Sequence, residues 1–134
     1  MKMKCKLWAV ALLASASLFG QSAGELAGRW NWTASCKTGE TRKGQFLLRQ
    51  VSEESFRGEF LGTGHKSDVI ERGVLAVALH TFEFQREYVT AAGEKGFARW
   101  SGKLTVPESA NGKLTWTGTL HDATTDCSFE ATKQ

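Results

Sequence analysis

The sequence predicts an all-β fold: a small antiparallel up-and-down β-barrel of about eight strands, with a two-sheet β-sandwich as the alternative. Three observations carry this expectation. From Gly24 onward apolar and polar residues alternate, with Gly, Asn and Asp marking reversals roughly every ten residues. A pattern of apolar, x, Gly, x, apolar recurs at Leu26 to Trp30, Phe56 to Phe60, Trp100 to Leu104 and Trp116 to Leu120. An inward Gly between two bulky residues suits a strongly curved sheet, the kind that closes on itself. Finally, Cys36 and Cys127 stand near the two ends of the alternating region, each on the apolar face of its strand.

The chain opens on a different pattern. Lys2, Lys4 and Lys6 precede an uncharged apolar run from Leu7 to Phe19. That run is about 13 residues long, too short to span a bilayer and suited to a secretory signal. Residues 1–23 are therefore expected to be a cleaved signal peptide and 24–134 a single β-barrel domain. Cys5 lies in the basic segment and leaves with it. The remaining pair, Cys36 and Cys127, is expected to form one disulfide between the first and last strands, as an oxidising compartment favours.

Each strand follows from its alternation. In Arg29 to Cys36, Trp30, Trp32, Ala34 and Cys36 share one face, and Arg29, Asn31, Thr33 and Ser35 the other. Gln45 to Ser52 and Ser55 to Gly62 form a hairpin about Glu53-Glu54. Phe97 to Val106 and Lys113 to Leu120 form another, joined through Asn111-Gly112, a pair that readily takes positive φ. In it Trp100, Leu104, Val106, Leu114, Trp116 and Leu120 face inward. The last strand alternates Cys127, Phe129 and Ala131 with Ser128, Glu130 and Thr132. Between Val69 and Val89 two strands are expected, Gly73 to His80 and Thr81 to Val89, because Val, Thr and Phe favour strand. A helix over Ser67 to Phe84 is the rival, since Ile70, Val74, Val77 and Thr81 recur at helical spacing.

Composition bounds the function. With 134 residues, 41% hydrophobic and 23% charged, the chain is neither disordered, collagen-like nor a polytopic membrane protein. Its net charge of +3 comes wholly from Lys2, Lys4 and Lys6, which account for the excess of 17 Lys and Arg over 14 Asp and Glu. The segment after residue 23 is neutral, so charge gives no argument for nucleic acid or an anionic membrane as partner.

Leu26-Ala27-Gly28-Arg29-Trp30 resembles the Gly-x-Trp opening of the calycin group, the lipocalins and avidins. Phe56-Arg57-Gly58-Glu59-Phe60 is similar to the third-strand segment of avidin-like chains. The resemblance implies a barrel with Trp30 on its first strand, plugging one end. Lipocalins set an Arg of the last strand against that Trp, and Thr125 to Gln134 contains none. The polar ligand contacts of avidins have no match here, so biotin binding is not implied.

Seven residues are candidates for a ligand site: Trp30, Trp32, Trp100 and Trp116 as inward aromatic groups, Gln50 and Arg86 as long polar side chains on inward faces, and Tyr88 beside Arg86. The tryptophans serve equally as an ordinary core. An inward Arg86 needs a carboxylate at a barrel mouth or an anionic ligand, unless the strand ends near Gln85 and leaves it at the rim. His65, His80 and His121 lack metal-ligand spacing. His121-Asp122 with Asp126 falls on an expected turn, where Asp caps backbone. Asn31-Trp32-Thr33 matches the glycosylation sequon, which the bacterial look of the Lys-rich N-terminus makes idle. No nucleophile, metal or phosphate-binding motif occurs, and neither catalysis nor a cofactor is expected. The expected protein is an exported, monomeric barrel, periplasmic or secreted and without a membrane span after cleavage. It binds a small apolar or amphipathic ligand. Alternatively, a solid barrel engages an envelope protein through Lys37 to Lys43, Gly62 to Asp68 and Ala91 to Gly96.

Overall fold

In a computed structural model, which describes residues 26–107 and 112–134, the alternation becomes eight antiparallel strands. They are β1 (Gly28–Cys36), β2 (Thr41–Ser52), β3 (Ser55–Leu61), β4 (Ser67–Ala76), β5 (Thr81–Val89), β6 (Lys95–Thr105), β7 (Thr115–Asp122) and β8 (Asp126–Lys133). Strands pair in chain order and β8 returns to β1, closing the barrel. Closure removes the free edges that a short β chain would otherwise offer to its neighbours. The expected signal segment, with Cys5, lies outside the described residues.

Alternation sends one side of every strand inward. Trp30, Phe46, Phe56, Phe82, Phe84, Trp100 and Trp116 are each at most 1% exposed. Their rings meet one another and Phe60 and Phe129 at centroid distances between 4.5 and 6.2 Å. The outer wall carries charge, with Arg49 on Glu59 at 2.7 Å and Arg57 on Glu71 at 3.2 Å. An apolar interior within a charged wall is the reverse of a membrane-spanning barrel, whose lipid-facing band is apolar. Among the described residues no helix is long and apolar enough to cross a membrane.

Two devices hold the curvature and the closure. Gly102 of β6 lies opposite Gly118 of β7. A Cβ at Gly118 would stand 1.9 Å from the Ser101 carbonyl oxygen, and one at Gly102 2.1 Å from that of Thr117. The recurrent Gly motif thus lets two strands approach where any side chain would push them apart. At the seam, Cys36 and Cys127 are direct partners across β1 and β8 and form the disulfide. It spans 91 residues of sequence, and chain entropy makes such a link worth up to about 4–5 kcal/mol.

The middle of the chain corrects the sequence expectation. The two expected strands are present, β5 at the expected Thr81–Val89, and the rival helix over Ser67 to Phe84 is absent, but β4 occupies Ser67–Ala76 rather than Gly73 to His80. The register slips between Glu71 and Val74, at Arg72 with φ 54°. This bulge carries the inward face from Asp68 and Ile70 to Gly73 and Leu75 and breaks the period of two, while Val74, which had suggested helical spacing, is exposed. A short 3-10 turn, Val77–Leu79, followed by His80 at φ 54°, makes the reversal without Gly, Pro, Asn or Asp. Other strand bounds shift by a few residues in either direction, with β7 beginning at Thr115 rather than Lys113. Thr41 to Lys43 and Lys95-Gly96 are strand rather than loop, Asp122 ends β7, and Val106 lies exposed beyond β6.

Gly118→Ala is expected to cost about 2–3 kcal/mol by overpacking. Gly39→Ala, at φ +87° with nothing within 4 Å, should cost only about 1 kcal/mol of backbone strain. Urea unfolding of both variants checks this, and equal losses would show that close strand approach does not limit the fold.

Candidate functional site

The two ends of the barrel differ in chemistry. At the end that carries Leu26 and the Val77–Leu79 turn, the indoles are satisfied by backbone carbonyls. Trp30 Nε1 donates to Leu26 at 2.8 Å and Trp116 Nε1 to Phe82 at 3.1 Å. The other end, here called the mouth, holds the disulfide and the loop 62–66. Toward it, Trp32 Nε1 and Trp100 Nε1 are buried and have no acceptor among the described residues. Each unpaired donor costs about 1–3 kcal/mol. The two rings meet edge-on with centroids 5.2 Å apart, and both touch Phe60.

Above Phe60 stands an ion pair. The Arg86 guanidinium lies 4.0 Å from the Phe60 centroid and 5.0 Å from that of Tyr88. It grips Asp68 with two bonds, Nε to Oδ1 at 2.8 Å and Nη2 to Oδ2 at 2.7 Å. His65 Nδ1 lies 2.9 Å from Asp68 Oδ2, and its ring stacks on Tyr88 at 4.8 Å. The side chains of Arg86 and Asp68 are 13% and 4% exposed, so the pair is a buried one. Strand register explains the meeting. Asp68 pairs with Tyr88 and Ile70 with Arg86, which sets Asp68 and Arg86 on adjacent strands, diagonally and on one face. Tyr88 also lies across Gly96, where a Cβ would fall 2.0 Å from its ring.

The wall is thinnest beside this cluster. The β3–β4 ladder stops at Glu59↔Val69, whereas β2–β3 reaches Gln45↔Leu61 and β4–β5 reaches Ser67↔Val89. Phe60 and Asp68 therefore flank a seam without cross-strand pairing, spanned by a loop in which Gly62 and Gly64 take positive φ.

A second ion pair closes the mouth near β1. Arg42 donates to Asp122 Oδ2 at 2.8 Å and to Glu40 at 3.0 Å. The Thr124 and Thr125 amides both donate to Asp122 Oδ1 at 2.8 Å. Burial raises the Asp122 pKa, but the bonds from Arg42, Thr124 and Thr125 outweigh it and hold the carboxyl at about 2. His121 meets Asp126 at 2.6 Å on the exposed rim, and its hydrogen bond lowers the Asp126 pKa.

The structure thus gathers Trp32, Arg86, Tyr88 and Trp100 of the seven candidates, and sets Trp30 and Trp116 toward the far end. Gln50 is not buried inside the barrel. It keeps the face of Phe46 and Leu48 and pairs with the buried Phe56, but it stands near the end of β2 at the far rim and is exposed, with Nε2 3.5 Å from the Glu53 carbonyl. Asp68, His65 and Phe60 were missed as site residues. Asp68 stands two positions before Ile70, and that spacing was the available signal. Among the described residues no group of His, Cys, Asp and Glu could hold a metal ion.

No protein-family model matches this chain, and no curated protein matches it in sequence. Two solved structures are similar in fold. One is a redesigned beta barrel, 18% identical, covering 85% of this chain and 95% of its own, with a TM-score of 0.56. The other is the redesigned beta barrel mFAP1, bound to DFHBI, 14% identical, covering 85% and 99% respectively, with a TM-score of 0.55.

Two outcomes follow. Arg86→Leu leaves Asp68 buried alone and is expected to cost about 3–5 kcal/mol, most of it regained when Asp68→Leu is added. Denaturant unfolding of the single and double variants measures the coupling, and additive losses would disprove it. For Asp122 the folded pKa of about 2 lies below the ordinary 3.8. Its contribution is therefore full above 3.8 and is lost as pH falls toward 2. In Arg42→Gln the decline of the denaturation midpoint across that interval should flatten, and an unchanged decline would refute the assignment.

Proposed function

We propose that this chain is a small exported β-barrel protein that binds a small amphipathic, ring-bearing molecule at the disulfide-tied mouth. One observation carries the reading: Trp30 and Trp116 are satisfied by carbonyls at the far end, while Trp32 and Trp100 keep unpaired donors on the mouth side. Buried polar groups are normally paired, and such orphans mark positions where a ligand or water supplies the partner. Phe60, Tyr88 and Arg86 give that position aromatic and flat walls.

Access runs through the β3–β4 seam, with Gly62 and Gly64 letting the 62–66 loop swing and His65 leave Tyr88. The barrel is read as calycin-like. Trp30 lies buried on the first strand, as the resemblance implies, while the last strand lacks the Arg that lipocalins set against it and has Lys133 as the direct partner of Trp30. That mFAP1 holds DFHBI makes a barrel of this size a reasonable host for a small molecule. Residues 1–23 as a cleaved signal, together with the Cys36–Cys127 bond, suit a periplasmic or secreted bacterial protein. The closed ladder, without a free edge, suits a monomer. We assign no catalytic step.

A second reading has its own support. The rings of the barrel centre are in mutual contact, which favours a solid scaffold whose loops 37–40, 62–66 and 90–94 engage an envelope protein.

Titration with DFHBI, fatty acids, haem and aromatic probes, followed by Trp fluorescence, separates the two. Saturable quenching by a ring-bearing probe, weakened in Trp32→Phe, is expected. Silence across the screen, with a specific partner recovered from envelope extract through those loops, would replace the first reading with the second.

A further inference from the structure

The mouth also narrows the chemistry of what it holds, an inference that rests on the reading of the mouth as a ligand site. Its hydrogen-bonding capacity is unequal. The buried acceptor is Asp68, and both its oxygens are engaged: Oδ1 by Arg86 Nε, Oδ2 by Arg86 Nη2 and His65 Nδ1. The unpaired groups, Trp32 Nε1 and Trp100 Nε1, are donors that cannot accept. A ligand must therefore bring an acceptor. A ligand that brings only donors would leave its own polar atoms and the indoles unpaired together.

Charge sets the second limit. Arg86 is matched by Asp68 and Arg42 by Asp122. An anion or a cation at the indoles would be buried without a counter-charge unless it broke one of these pairs. Shape sets the third. Trp32, Phe60, Trp100 and Tyr88 are rings that now cover one another, and the guanidinium lying over Phe60 is planar as well, so a guest that parts them would have to be flat.

We propose that the mouth selects an uncharged planar ring compound carrying a carbonyl oxygen, with that oxygen accepting from the Trp32 or the Trp100 indole.

Four probes with one ring system test this: acetonaphthone, naphthoate, naphthylmethylammonium and naphthalene. Each is titrated into the oxidised protein while the indole N–H resonances are followed by nitrogen-edited NMR, with assignments from W32F and W100F or, if either fails to fold, from backbone-linked spectra. Acetonaphthone should bind about ten-fold tighter than naphthalene, the worth of one hydrogen bond to a buried donor. It should move the Trp32 and Trp100 resonances and leave those of Trp30 and Trp116 in place. Tighter binding of naphthoate or the ammonium probe would overturn the uncharged class while leaving the mouth as a site. Shifts confined to Trp30 or Trp116 would overturn its location. Binding of none of the four would overturn this proposal, and the mouth reading itself falls only if the wider fluorescence screen is also silent.

Discussion

Closure of β8 onto β1 is the constraint on which the rest depends. With that seam made, every strand has two neighbours, the alternating apolar side chains share one enclosed interior, and no strand is left as a free edge. Opening it would expose two edges and let water reach the ring stack at once. The disulfide stands on this seam and joins direct partners. It therefore ties the two strands that are farthest apart in sequence, where loop-closure entropy opposes pairing most.

Within the closed wall the interior is graded. The far end holds indoles whose N–H groups are already satisfied by backbone. Toward the disulfide the content shifts to Ala34, Ala98, ion pairs and unpaired indoles. Rigid, satisfied packing at one end supports a less satisfied arrangement at the other, as binding sites on stable scaffolds generally require. The short β3–β4 ladder lies on the same side, so the part of the wall with the fewest backbone bonds borders the part of the interior with unmet hydrogen-bonding need.

What the sequence disclosed followed from period. Six of the eight strands, the hairpin at Glu53-Glu54 and the pairing of Cys36 with Cys127 all rest on strict alternation. The Gly motif foretold curvature, and Gly102 opposite Gly118 is its physical form. Where one residue broke the period, legibility ended. The bulge at Arg72 moved the inward face by one position, and the reversal at His80 used a left-handed residue outside the usual turn set. Arg86 was legible as an inward charge in want of a carboxylate. Its partner was not, because Asp68 lay before the strand as expected and so had no assigned face. Gln50 kept its expected face opposite Phe56, but its place near the end of β2 left it exposed at the far rim.

An even number of up-and-down strands returns the chain to the end where it started. Gly28 and Lys133 thus both lie at the end away from the mouth, and the Gln134 amide donates to the Arg29 carbonyl at 2.9 Å. Tension applied between the two termini would act on adjacent antiparallel strands from the same side. It would peel the seam one rung at a time, from Trp30↔Lys133 through Trp32↔Ala131 to Cys36↔Cys127. There the covalent bond takes the load. Everything between Cys36 and Cys127, including β2 to β7 and the whole wall around Arg86 and Asp68, lies outside the path of the force.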